Sequence, residues 1–342
     1  HPTTSIEQQQ SQGPAAIFTE GKGIYLKDVD GNTYIDGMSS LWNVNVGHGR
    51  EEIAEVAKEQ MAKLAFSSCF ATFSNEPAIR LATKIASLAP GDLNTVFFTS
   101  GGSESNDTAI KLARHYWILK GQPARQKIIS RTHSYHGVAM GATNATGLKA
   151  FRDFTNSPAP DFHYVNGNSI RDLRDMIETL GPENVAAFMS EPVQGAGGVN
   201  IPEANYFKEV RALCDEYGIL FIADEVITGF GRTGKMFGME HYGVVPDMMS
   251  FAKGVSSGYA QLGGVVISQK MHKDYIALSK GTLMHGYTYS GHALACQVGL
   301  KNIDIIEREN LVDNAAQMGK AMLEGFQALQ EKYSFIGNVR TI

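Results

Sequence analysis

The chain has 342 residues, with 43% apolar and 19% charged side chains, which is material for about two packed domains and excludes a disordered chain. Its 30 Lys and Arg against 35 Asp and Glu give a formal charge of −5 with no long run of either sign, which excludes the basic stripe of a nucleic-acid-binding surface. The 36 glycines exceed the usual share of ~7% and cluster, as glycines do where a ligand lies against the backbone.

In chain order, Gly23–Val29 and Asn32–Asp36 flank Asp30-Gly31, a pairing that predicts a β-hairpin. Residues 51–64 and 77–88 carry apolar side chains at helical spacing. A short apolar run, Thr95–Thr99, then leads through a glycine pair into a predicted helix over 103–119. The alternation continues with a strand at 127–130, a helix at 169–180, a strand at 185–189, a helix at 203–217 and a strand at 219–223. Ser169-Ile170-Arg171-Asp172 matches a capping box. Runs at 248–252 and 264–268 extend the sheet, and after about Gly291 the pattern is helical, over 293–309 and 311–332. Short, continuously apolar strands separated by helices predict an α/β fold with a mostly parallel sheet covered on both faces.

Cys69, Cys214 and Cys296 are odd in number and widely spaced, with no disulfide framework or zinc-ribbon spacing, which fits a reducing, cytoplasmic compartment. No apolar run approaches the ~18 residues that span a bilayer, so no membrane partner is expected. The chain opens at His1 and stops at Val339-Arg340-Thr341-Ile342, and both ends read as trimmed.

In open α/β sheets ligands sit beyond the carboxyl ends of the strands, and four such ends carry unusual residues. Thr99-Ser100-Gly101-Gly102-Ser103-Glu104 joins a strand to a long helix. It reads equally as a tight turn or as a phosphate cradle at a helix N-terminus. Phe221-Ile222-Ala223-Asp224-Glu225-Val226 ends in two acids, which by themselves suit a salt bridge to Arg232. Met248–Gly254 closes on Lys253, either snorkelling out of the sheet or desolvated into a nucleophile and base. Arg131–Gly137 offers His133 and His136, but zinc needs a third ligand that the sequence does not nominate, so no metal is expected. Tyr135 beside Gly137 suits stacking on a planar ligand better. Gly229-Phe230-Gly231-Arg232-Thr233-Gly234 matches the dinucleotide fingerprint letter for letter. It neither leaves a strand directly nor opens a helix, and is rejected as a nucleotide motif.

A phosphate cradle, a strand-end acid, a strand-end lysine and a stacking aromatic together are the parts that hold pyridoxal phosphate. On this reading Lys253 forms the imine, Asp224 keeps the pyridine nitrogen protonated, the glycine loop binds phosphate and Tyr135 covers the ring.

With these residues the sequence resembles a class III aminotransferase of the fold-type I pyridoxal-phosphate superfamily. The resemblance runs from Asp36–Gly49 through Glu191–Gly198 and Asp224–Gly234 to His285–His292. It implies a three-layer α/β/α large domain with a mostly parallel sheet, plus a smaller α+β domain built from both chain ends. The expected boundaries are residues 1–45 for an N-terminal segment with the hairpin, 46–290 for the cofactor domain and 291–342 for the start of the small domain. It further implies Lys253 as the Schiff-base lysine and proton shuttle, with Asp224 as pyridinium partner. Val226 then packs opposite Tyr135, and Gly101, Gly102 and Ser103 hold the phosphate. His136, Gly137 and Glu191 belong to the cofactor site, and Trp42 and Phe70 to the substrate pocket. The partner implied is a second copy of the chain, a homodimer in which Tyr287 and Thr288 reach the neighbouring active site.

Three departures matter. Gly101 replaces the usual cradle hydroxyl, and Gln261 the usual proline. Ala196 replaces the glutamate of the ornithine and γ-aminobutyrate branches, so the chain looks like the ω-amino acid or amine:pyruvate branch. That branch's substrate-carboxylate arginine is expected beyond Ile342. The expected activity is ping-pong transamination from an ω-amino acid or amine to a keto acid, pyruvate first. The alternatives are a decarboxylase or aminomutase on the same cofactor, and a nicotinamide oxidoreductase using the glycine loop at 229–234. The donor, the choice between dimer and tetramer, and the pathway stay open.

Overall fold

The computed structural model describes residues 2–154 and 158–342. Three strands, β1 (Phe18–Lys22), β2 (Tyr25–Asp28) and β3 (Thr33–Ile35), form a small antiparallel sheet. The expected hairpin is the β2–β3 pair, with Tyr25 opposite Ile35. The remaining strands are β4 (Leu93–Thr99), β5 (Lys127–Arg131), β6 (Phe162–Val165), β7 (Val185–Ser190), β8 (Leu220–Asp224), β9 (Met248–Phe251) and β10 (Gly263–Ser268). They build one sheet in the order β4-β10-β9-β8-β7-β5-β6.

The β6-β5-β7-β8-β9 run is parallel, and β10 alone opposes its two neighbours. The central strands β7, β8, β9 and β10 are buried along their whole length, which is why they read as unbroken apolar runs rather than alternating ones. One core, including Ala109, Ala113, Tyr116, Ile222 and Val265, lies under the Gly102–Leu119 helix. Another packs Phe207, Val210 and Leu213 of the Tyr206–Tyr217 helix on Phe188 and Phe221. A third gathers Leu81, Ile85, Val298 and Ile303 from two further helices against Phe251 and Val266.

Helix limits follow local chemistry. Ser169 caps the Ile170–Leu180 helix by accepting the Asp172 N–H at 3.1 Å, and Asn75 caps Glu76–Leu88 by accepting the Ala78 N–H at 3.0 Å. Several elements carried no periodic signal: β1, β6, and the helices Ile6–Gln12, Met140–Ala145, Lys149–Asp153 and Gln269–Leu278. Among the described residues no helix is long and apolar enough to cross a membrane. At the carboxyl ends of β5, β7 and β8, and beyond β4 and β9, the chain leaves the sheet through the segments singled out above.

Candidate active site

These segments converge on one cavity of about 480 Å³. Gly102, Ser103 and Asn106 border it from the long helix, and Tyr135, His136 and Gly137 from the loop after β5. Glu191, Asp224, Val226 and Lys253 come from the ends of β7, β8 and β9. Leu41, Trp42, Val138, Phe151, Val193, Ala196 and Ile227 supply an apolar wall.

Asp224 is 3% exposed and bound through both oxygens. Its Oδ2 accepts from Asn106 Nδ2 and faces His136 Nδ1, each at 2.7 Å, and its Oδ1 accepts the Val226 N–H at 3.0 Å. The salt bridge to Arg232 is not formed. That guanidinium instead donates to Asn45 Oδ1 at 2.5 Å and Ser39 Oγ at 3.3 Å. The neighbouring Glu225 turns away from the cavity and pins the loop beyond it, accepting from Gly238 N, Met239 N and the Thr228 hydroxyl.

Lys253 sits at the start of a single 3-10 turn with φ of 42°, a left-handed conformation costly for any side chain and common at working sites. It does not snorkel into solvent. Burial lowers its pKa below the ordinary lysine value, against the opposing pull of Asp224 and Glu191. Its Nζ lies 5.4 Å from the centre of the Trp42 ring and has no ion pair among the described residues. Glu191, 3% exposed, accepts the Tyr135 and Gly195 N–H groups at 3.1 and 3.2 Å. Burial pushes its carboxyl up to about 7.

The glycine loop leaves room where a ligand would need it. A Cβ at Gly101 would meet no atom within 4 Å, whereas one at Gly102 would lie 2.8 Å from Val226 Cγ1. Gly137 has φ of 117°, and a Cβ there would lie 2.9 Å from Ser103 Cα. These two glycines therefore let the chain pack closely on Val226 and Ser103 beside an open corner at the helix N-terminus. A second hollow of about 300 Å³ adjoins that corner, bordered by Ser100, Gly101, Gly102, Lys253, Tyr259 and Gln261.

Two expected site residues lie elsewhere in the chain's own structure. Phe70, 48% exposed, faces Gly286, and Thr288 is exposed on the same 285–290 loop; neither borders the Lys253 cavity. Neighbouring Tyr287 donates its hydroxyl to the Glu104 carbonyl at 3.4 Å. His136 borders the cavity but spends its Nδ1 on Asp224, and His133 is exposed, so the pair does not converge as metal ligands. Asn106 carried no signal in the sequence beyond its place one turn inside the helix. Asp36 opens the first stretch of the resemblance, which gives it no role: it holds the strained Trp42 segment by accepting the Ser40 N–H at 2.7 Å while paired with His48 at 2.8 Å.

The class-III aminotransferase family model matches residues 6–342. The chain belongs to the class-III aminotransferases. This aminotransferase superimposes on a transaminase from the marine bacterium Virgibacillus with a TM-score of 0.99 at 56% identity, covering 100% of this chain and 79% of that one. An amine transaminase from an uncultivated Pseudomonas species, in its PLP-bound form, matches with a TM-score of 0.96 at 37% identity, covering 100% and 81%. The putrescine–pyruvate aminotransferase of Pseudomonas aeruginosa is 39% identical over 359 residues, 100% of this chain and 78% of that protein. The aminotransferase is thus a fold-type I, pyridoxal-phosphate-dependent enzyme that moves amino groups between amines and keto acids. The loop at 229–234 runs through turns into a short 3-10 helix at Gly238–His241 and has no dinucleotide-binding context.

Proposed function

We propose that the enzyme takes its amino group from an ω-amino acid or an amine and delivers it to pyruvate, in two half-reactions at the one cavity. The observation that carries this reading is the amine of Lys253, which makes no ion pair among the described residues and shares a cavity with the Asp224 carboxylate, itself hydrogen-bonded through both oxygens. The donor set fits pyridoxal phosphate: an open, backbone-lined corner at the helix N-terminus for a dianion, a fixed acid for a ring nitrogen, and an aromatic ring for a planar face. When bound, the cofactor supplies an aldehyde for covalent capture of amines and a cationic ring that accepts the electron pair left at the donor carbon.

This chain's residues do the rest. Gly101, Gly102 and Ser103 hold the phosphate, and Asp224 holds the ring nitrogen. Tyr135 and Val226 sandwich the ring, while His136, Gly137 and Glu191 shape its surroundings. Burial lowers the Lys253 pKa and so favours the neutral amine, the form that would take a proton from the donor carbon. Leu41, Trp42, Val193 and Ile227 exclude water, and Ala196 leaves space where a charged residue would limit the donor.

Homodimerisation completes the site on this reading. Tyr287 and Thr288 of one protomer reach the hollow beside Gly101 in the other, and Phe70, packed on the same loop, follows them. We also propose a boundary near residue 45 and another near 291. The β1–β3 sheet is separate, and the Leu311–Lys332 helix buries none of its residues. A cytoplasmic location is proposed on the free state of Cys69, Cys214 and Cys296. The test is Lys253→Ala: turnover is lost while cofactor binding persists through the cradle and Asp224, and full transaminase activity would refute the assignment. A donor screen with pyruvate, comparing β-alanine, taurine, diamines and arylalkylamines, identifies the amine. Its product analysis separates transamination from decarboxylation and amino-group migration.

A further inference from the structure

The helix that presents Gly102 and Ser103 carries a second polar group on the same face. Asn106 lies four residues beyond Gly102 and three beyond Ser103, so it sits one turn, ~6 Å, further along the axis. Its side chain is 1% exposed. Both hydrogens of Nδ2 are used, one on Asp224 Oδ2 and one on the His136 carbonyl, each at 2.7 Å. The second donor to Oδ2 is fixed in turn, because the His136 N–H is held by Thr146 Oγ1 at 2.8 Å. Oδ2 thus takes two bonds and Oδ1 only one, from Val226 N, which leaves an Oδ1 lone pair free on a carboxylate that borders the cavity.

We propose that Asn106 is a positioning residue that ties the Asp224 carboxylate to the glycine cradle. The separation between phosphate corner and acid is then set by one turn of one helix rather than by the packing of β8 against its neighbours. A rigid planar amide on that helix transmits any shift of the cradle to the acid directly. The inference rests on Asp224 meeting the ring nitrogen.

The test is a double-mutant cycle of Asn106→Leu and Asp224→Ala, read as the dissociation constant for pyridoxal phosphate added to apoenzyme and as kcat and KM for the amine. One bond to a charged group predicts that Asn106→Leu weakens cofactor binding roughly tenfold to a hundredfold. It should lower kcat with little change in KM for the donor, and shift the visible circular dichroism of the bound cofactor. In the Asp224→Ala background the same change should cost much less, because only the bond to the His136 carbonyl is left to lose. Equal losses with and without Asp224, or binding within twofold of wild type, would overturn the proposal. If Asp224→Ala alone binds cofactor normally, it is the assignment of Asp224 that fails. Should Asn106→Leu not fold, Asn106→Ala is read in the same cycle.

Discussion

Gly101 stands at the mouth of the cradle with an extended backbone, φ 177° and ψ 176°, that any residue can adopt. A Cβ placed there meets nothing within 4 Å. Gly101→Ser should therefore fit without strain and offer a hydroxyl to the cofactor phosphate. A hydrogen bond to a charged group contributes about 1.5–3 kcal/mol, or about tenfold to 150-fold in dissociation constant. Ordering the serine side chain offsets part of that, so a gain of roughly tenfold is expected. Replacing glycine at a compatible site also removes unfolded-state freedom, about 0.4–1 kcal/mol, so the apoenzyme should melt slightly higher. The assay is titration of apoenzyme with pyridoxal phosphate, followed by absorbance, with thermal melts of both apoproteins. A higher melting temperature with unchanged affinity would mean that position 101 does not face the phosphate. Weaker affinity would mean that the open corner is not open.

Two further outcomes follow from the same geometry. Gly137→Ala places a methyl group within 2.9 Å of Ser103 Cα at φ 117°, where backbone can only give way. It should displace the cradle and weaken cofactor binding at least tenfold in the same titration. Lys253, its pKa lowered by burial, must be neutral to attack an aldehyde. The rate of cofactor capture by apoenzyme should therefore rise with pH and level off through a midpoint below 10.5, the ordinary lysine value. A midpoint at or above that value in stopped-flow traces would contradict the desolvated site.

Much of the site was legible because its chemistry is local. Asp224 and Lys253 each end an apolar run, and the Gly101-Gly102-Ser103 turn sits between a strand and a helix, so position along the chain already exposed them. Arg232 misled for the same reason. Proximity in sequence made it the natural partner for Asp224, but its bonds go to Ser39 and Asn45, 193 and 187 residues away. Asn106 was invisible because its partner lies 118 residues on, and nothing in a helical pattern marks one amide as reaching across a sheet.

The sequence by itself determined the alternation of strand and helix, the cap at Ser169, and the candidate residues for holding and using the cofactor. These depend on periodicity and on groups within a few residues of one another. Only the tertiary structure decided that β10 enters antiparallel between β4 and β9, that His136 and Asn106 converge on one carboxylate oxygen, and that Phe70 and Thr288 do not border the Lys253 cavity of their own chain. Strand order and side-chain convergence are fixed by packing between distant segments, and no local pattern encodes which segments will meet.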